Sequence, residues 1–253
     1  MNVFLILCVT SFLAGLIDAV VGGGGLINLP VLFSVYPNGT PATLLGTNKL
    51  ASVWGTATAA FNYSRVVKLN WPVALAAAAT AFIFSFVGAY TVTQISPQLL
   101  RKALPFVLIL LAVYIFRRKQ LGQVHSPVYS GTTELGLAVV TGIGIGFYDG
   151  FFGPGTGSFL IFIFVRLFGF DFLNASAVSK IVNVATNLAA LLLFGIQGNL
   201  LWKVGFMMAL FGVAGSLLGA RLAIERGSKF VRQLFLVVVL LLIIKTCYDA
   251  FLR

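Results

Sequence analysis

Ten apolar blocks, at about 3–21, 25–36, 44–63, 71–92, 98–116, 134–152, 156–168, 176–197, 203–224 and 229–252, take up nearly all of this 253-residue chain. Most approach the ~20 residues that carry an α-helix across a hydrocarbon core of ~30 Å. They are apolar all round rather than along one stripe, which is the pattern of a helix buried on every side. Charged residues are only 9 % of the chain, too few to cover a soluble domain of this length. The pattern predicts an all-α, polytopic integral membrane protein whose main partner is the lipid bilayer. The run Val3–Val21 has no basic residue ahead of it and no small-x-small cleavage site, so it reads as a retained span rather than a secretory signal.

Two blocks are too short to span. A helix over 25–36 reaches ~18 Å at 1.5 Å per residue, and the block at 156–168 is similar. Each follows a glycine break, Gly22, Gly23, Gly24 and Gly25 in the first case and GPGTG, with Gly153 and Gly155, in the second. The two breaks occupy equivalent places. Asp149 stands 131 positions after Asp18, and one gapless offset also relates Gly22 to Gly153, Gly24 to Gly155 and Lys49 to Lys180. It continues through Trp71 and Trp202, Ser85 and Ser216, Gly88 and Gly219, and Arg101 and Arg232. Apolar sequence aligned by chance matches Leu with Val, not Asp, Lys, Trp and Arg at one spacing. The chain therefore reads as a single transmembrane transporter domain over 1–253, with repeat 1 at about 1–116, a loop at 117–133 and repeat 2 at about 134–253.

Each half holds five blocks, and an odd number inverts the second half relative to the first. If the glycine-broken pairs are re-entrant hairpins, each half crosses three times, still odd. Alternating sides then gather Arg65, Lys68, Arg117, Arg118, Lys119, Arg166, Arg226 and Lys229 on one face, against Arg101, Lys102, Lys203 and Arg253 on the other. The positive-inside rule makes the richer face cytoplasmic and places both termini outside. This use of the basic residues also accounts for the net charge of +11 without a nucleic-acid partner.

Glycine-interrupted short segments at matching places in two inverted repeats are the best sequence pointer to a transporter's binding site. Broken helices persist at membrane depth only where protein or a wet cavity satisfies their backbone. Each break opens a helix N-terminus, whose free N–H groups and partial positive charge suit an anion. Gly142, Gly146 and Gly150, and Gly215 with Gly219, read instead as stripes for close helix packing. Lys49 and Lys180 fall inside apolar blocks, where a lysine costs roughly 2.5–3.5 kcal/mol on insertion scales. Snorkelling would explain one such lysine; two that match across the repeat point to an anion site. Lys49, Ser52 and Thr56 share a helical face, as do Lys180, Asn183 and Asn187, and Asn48 and Ser179 stand beside the lysines. Asp18 and Asp149 have three open roles: pairing with the lysines, stabilising the glycine turns, or carrying protons.

Other chemistries find less support. No Gly-Lys-Ser/Thr follows the glycines, so no nucleotide loop is expected. Cys8, Cys247 and the lone His125 show no metal spacing, and neither cofactor nor metal is expected. FYDG at 147–150 resembles the Tyr-Asp element of intramembrane aspartyl proteases, but residues 15–18 read GLID rather than Gly-x-Gly-Asp. No enzyme is expected. An anion channel remains open, since the same lysines and helix ends suit a pore.

The pieces AGLIDAVVGGGGLINLP, GTNKLASVWGT, GFYDGFFGPGTGSF and SKIVNVATNLAALLLF, in this order and spacing, resemble the TauE/SafE-type sulfite exporter family, in the branch known as probable membrane transporters. The resemblance runs essentially the full length. It implies a bacterial inner-membrane secondary transporter of small sulfur-containing anions, sulfite or an organosulfonate, powered by an ion gradient. A carrier of non-sulfur organic anions and a homo-oligomeric assembly stay open. The anion would bind between the halves, on Lys49 and Lys180, with hydrogen bonds from Asn48, Ser179, Asn183 and Asn187.

Overall fold

The structure, a computed structural model, describes residues 3–94 and 125–251, and most side chains beyond Val231 fall outside that description. The block expected at 98–116, the charges Arg101, Lys102, Arg117, Arg118, Lys119 and Arg253, and the side chains of Arg232 and Cys247 lie outside the described residues. Those described form helices and no strand: α1 (Val3–Val21), α2 (Gly25–Val35), α3 (Pro41–Ser64), α4 (Trp71–Val92), α5 (Gly131–Phe151), α6 (Thr156–Arg166), α7 (Phe172–Ile196) and α8 (Trp202–Phe251). Helix α8 is broken at Gly227, whose φ of 69° is left-handed. By length and composition, α1, α4, α7 and the Trp202–Val231 part of α8 are long and apolar enough to cross a membrane.

Helices α3, α5, α7 and α8 begin earlier than their apolar blocks and the others begin with them, and local caps fix several of these starts. Thr40 accepts from the N–H of Thr43 and Pro41 opens the first turn of α3. Asn70 accepts from Val73 ahead of α4. Asp171 accepts from Leu173 at 2.8 Å and Asn174 at 3.0 Å ahead of α7. Caps and polar first turns are part of a helix although hydropathy does not register them.

Helix α2 runs back along α1. A Cβ on Gly24 would lie 2.8 Å from the carbonyl oxygen of Ala14, and two turns on Leu32 packs with Leu7. The first glycine break is thus the tip of a helical hairpin, and it meets the second break where Gly22 abuts Gly157. Packing then exchanges between halves. Helix α1 packs on α8 and α4 on α5; α3 packs on α8 and α4 on α7; α3 and α7 pack on each other. Single contacts obey the same exchange: Ser85 donates to the carbonyl of Thr186 at 2.9 Å, and its equivalent Ser216 donates to that of Gly55 at 2.5 Å. The glycine stripes serve these contacts. Gly142, Gly146 and Gly150 lie against Ala77, Ala81 and Ser85 of α4, and Gly215 and Gly219 lie against Phe12 and Leu16 of α1.

The bundle has two distinct ends. At one, Asn199 accepts from Thr43 and Leu201 donates to Thr47, with the start of α1 nearby through Leu7 and Val204. At the other, Asn70 donates to Glu134 at the start of α5, and Ser228 donates to Asp171 at 2.7 Å. Arg65, Lys68, Arg166, Arg226 and Lys229 belong to the Asp171 end, and Lys203 to the Asn199 end. The apolar core is thick at the Asp171 end, where Phe164, Phe168, Phe170 and Phe172 pack together.

Two outcomes follow for thermal unfolding in detergent. A methyl on Gly150 or Gly215 meets the carbonyl oxygen of Ser85 or Phe12, so Gly150→Ala or Gly215→Ala lowers stability by about 1–3 kcal/mol. Gly144→Ala enters open space and does not. Burial alone would raise the Asp171 carboxyl, but hydrogen bonds from Ser228, Asn174 and Leu173 outweigh that and hold it below its usual 3.8. Its stabilisation is therefore complete above that value and fades as pH falls through the depressed one. Asp171→Ala removes this acid-side loss along with the stabilisation itself.

Candidate functional site

Each half supplies three parts: an aspartate one turn before its break, the break itself, and a lysine from the helix after the hairpin. In the first half Gly22 donates to the carbonyl of Asp18 at 2.9 Å, and Gly24 donates to Asp18 Oδ1 at 3.3 Å. Gly22 and Gly23 have φ of 76° and 95°, which a side chain would resist. In the second half Gly153 and Gly155 have φ of 88° and 83°, and Thr156 Oγ1 donates to the carbonyl of Gly153 at 2.8 Å. The residue ahead of α2, Gly24, is right-handed, whereas its equivalent ahead of α6, Gly155, is left-handed. The two breaks are built differently although they open helices at equivalent residues.

The charges pair across the halves. Lys49 Nζ donates to Asp149 Oδ2 at 2.5 Å, with side chains 4 % and 2 % exposed. Lys180 Nζ lies 3.2 Å from Asp18 Oδ2 and also donates to the Asp18 carbonyl. Lys180 is fully buried and Asp18 is 15 % exposed. Each lysine thus neutralises the aspartate of the other repeat, which resolves one of the roles left open for Asp18 and Asp149; Asp18 also stabilises its glycine turn through Gly24. Thr56 adds a hydrogen bond to Asp18 Oδ2 at 3.3 Å.

A polar cavity lies between the tips. Asp18, Gly23, Gly24, Gly25, Asn48, Lys49, Asp149, Gly153, Gly155, Asn183 and Asn187, all expected from sequence, line it together with Ser52, Thr56, Thr156 and Gly157. The space open to the centre of a water-sized sphere is about 20 Å³, close to what one water needs. An anion larger than water fits only when the hairpins part. In the first turns, Leu26 donates to the carbonyl of Gly23, Ile27 and Asn28 to that of Gly24, Thr156 to that of Gly153 and Phe159 to that of Gly155, while Asn48 Oδ1 has no partner. Asn187 donates to Asn183 Oδ1 at 2.8 Å.

Three expected residues stand behind this wall. Gly22 is taken up in the contact with Gly157. Lys180 reaches the cavity only through Asp18. Ser179 is fully buried with an unpartnered hydroxyl and does not line the cavity. Thr156 and Gly157 were not singled out in the sequence, because their repeat equivalents, Gly25 and Leu26, share neither residue type.

The pairing predicts a specific stability pattern. Lys49→Met leaves Asp149 charged and buried, at a loss of about 3–5 kcal/mol, and Lys49→Met with Asp149→Leu recovers most of it. Thermal unfolding of single and double variants checks this. An additive pair of losses would mean that the two charges do not interact.

Comparison with known proteins is consistent with this architecture. The family model described as sulfite exporter TauE/SafE matches residues 7–246. The chain is 39 % identical over 250 residues to the probable membrane transporter protein ORF9 of a Sinorhizobium species, covering 96 % of this chain and 92 % of that one. It is 34 % identical over 247 residues to the probable membrane transporter protein YfcA of Escherichia coli K12, covering 97 % and 90 %. A probable membrane transporter protein of Haemophilus influenzae is 34 % identical over 248 residues, with 96 % and 94 % covered. No solved structure matches. A family match over nearly the whole chain, around glycine-broken helices and buried charges at matched positions, makes the assignment: the chain belongs to the TauE/SafE sulfite exporter family.

Proposed function

We propose that the protein is a secondary transporter that carries a small sulfur-containing anion, sulfite or an organosulfonate, across the bacterial inner membrane. The observation that carries this reading is the pair of crossed ion pairs, Lys49 with Asp149 and Lys180 with Asp18, at the meeting of the two glycine breaks. A buried lysine that lines a polar cavity, Lys49, with a second one behind Asp18, Lys180, suits a compact anion once the hairpins part. The family resemblance supplies the sulfur; the charges alone select only an anion.

The proposed orientation puts the basic Asp171 end in the cytoplasm, in keeping with the positive-inside rule, and both termini in the periplasm, which the start of α1 at the Asn199 end supports. The helices α1 and α5 begin at opposite ends, which supports inverted repeats with the site near the midplane. The anion reaches it when one hairpin rocks away from the other, and an ion gradient powers the cycle. Asn48, Asn183 and Asn187 hold the anion's remaining oxygens.

Radiolabelled sulfite flux into proteoliposomes tests the reading. Saturable flux is expected. Lys49→Ala lowers apparent affinity about ten- to a hundredfold, the loss of one charge-assisted hydrogen bond worth about 1.5–3 kcal/mol, and Lys180→Ala does the same. Folded protein that moves neither sulfite nor any of a panel of sulfonates would refute the proposed substrate class. Flux linear in concentration would identify a channel.

A further inference from the structure

Exchange symmetry holds for the helices and the ion pairs, but not for what lies behind the two aspartates. Behind Asp18 is a second cavity of about 20 Å³, walled by Ser11, Ala14, Asn28, Ala51, Gly55 and Thr56 among others. It shares Asp18, Gly24, Ser52 and Thr56 with the central one. Ser11 is 1 % exposed and Asn28 4 %, and neither Ser11 Oγ nor Asn28 Oδ1 has a hydrogen-bond partner. The recess is walled mainly by apolar groups, and Ser11 Oγ and Asn28 Oδ1, with the Asp18 carboxylate beside them, are the polar contacts it offers a single water. Toward the Asn199 end stands the apolar cluster of Leu7, Leu32, Ala51 and Met208, with Val31, Val35, Tyr36, Val204 and Met207 packed against it.

The same place in the second half is filled. The equivalents of Ser11, Ala14, Asn28, Ala51 and Gly55 are Gly142, Ile145, Phe159, Val182 and Thr186. Phe159 takes the position of the amide, and Tyr148 stacks edge-on against it at 5.0 Å while donating to the carbonyl of Pro154. Asp149 is 2 % exposed. The difference is written in residue types, so it persists whichever way the hairpins rock.

We infer that Asp18, reached through the Ser11–Asn28 chamber, is a proton-binding site that couples proton movement to the anion, while Asp149 stays a fixed counter-ion. This rests on the anion-transport reading. The groups facing Asp18 are Lys180 from α7, Lys49 from α3 and Asp149 from α5 across the central cavity, and Tyr63 of α3, whose hydroxyl donates to the carbonyl of Ala19. The parts of α2 and α8 that line the chamber contribute no titratable group.

Charge balance sets the coupling. An anion on Lys180 takes that ammonium from Asp18 and leaves a buried unpaired carboxylate. A proton alone on Asp18 leaves a buried unpaired ammonium. Both states are unfavourable. When both bind, an O–H bond forms on the Asp18 carboxyl as the chamber water passes on one proton and takes up another from the aqueous side, so the water is restored. Lys180 keeps its three protons, and its charge is matched by the anion. Anion and proton therefore favour one another reciprocally and travel in the same direction.

The test uses a background with Cys8→Ala and Cys247→Ala. Ser11→Cys and Asn28→Cys are expected to react with a water-soluble thiol reagent in detergent, and Phe159→Cys to be protected. Infrared pH titration is expected to show a protonated-carboxyl stretch that is lost in Asp18→Asn and kept in Asp149→Asn. If Asp18→Asn does not fold, Thr56→Val, which removes a donor to Asp18 Oδ2, is expected to shift the midpoint of that band. Equal thiol reactivity at 28 and 159, or a band lost only in Asp149→Asn, overturns the inference. Anion flux in proteoliposomes without accompanying proton movement overturns it too and spares the transport reading. Asymmetric labelling with the Asp18 band present, but no flux of any anion, sinks the transport reading and leaves the proton site.

Discussion

Two lysines and two aspartates in the middle of an apolar bundle set the terms for everything around them. A lysine there costs several kcal/mol unless its charge is met, and here each is met by a carboxylate from the other repeat. Neither half can fold alone without exposing an unpaired charge to hydrocarbon. The crossing of the pairs thus does what a hydrophobic interface does in water, where lipid supplies no comparable drive for helix association. It also explains why the glycine tips touch. The carboxylates lie one turn before each break, and the lysines can reach across only if Gly22 and Gly157 come into backbone contact.

Close approach depends on small residues placed with the same exchange. A Cβ on Gly88 would meet the carbonyl oxygen of Phe147, and one on its equivalent Gly219 would meet that of Leu16. These contacts hold the first helix of each half against the fourth helix of the other. The hairpins are therefore attached to the opposite half along α1 and α5, and their tips are pinned by hydrogen bonds from Ser158 to the carbonyl of Val21 and from Ser176 to that of Val20.

Much of this was legible in the sequence, and the reasons are uneven. The matching positions of the two glycine breaks could be read because Asp, Lys, Trp and Gly recur at one offset. Helix starts at 25 and 156, 41 and 172, and 71 and 202 keep that offset in the structure. The site residues could be read because polar groups at membrane depth are conspicuous. The crossing of the pairs could not: Lys49 to Asp149 and Lys49 to Asp18 are equally compatible with the spacing, and only the packing of α3 on α7 decides. Ser11 and Asn28 were passed over because a single Ser or Asn in an apolar block satisfies itself as a rule. Their meaning comes from α2 lying antiparallel on α1, which brings both to one recess.

Perfect symmetry would also be a poor design for coupling. If both aspartates had identical surroundings, the two ion pairs would open with equal ease, and an anion could settle on either lysine with or without a proton. Replacing Asn28 by Phe159 at the equivalent position removes that ambiguity at one aspartate. Asp149 is 2 % exposed beside Lys49, while Asp18 borders the Ser11–Asn28 chamber. The two halves differ there at a handful of positions, Ser11, Asn28, Ala51 and Gly55 against Gly142, Phe159, Val182 and Thr186. Under the proposed coupling, those differences give the frame one side on which charge is exchanged.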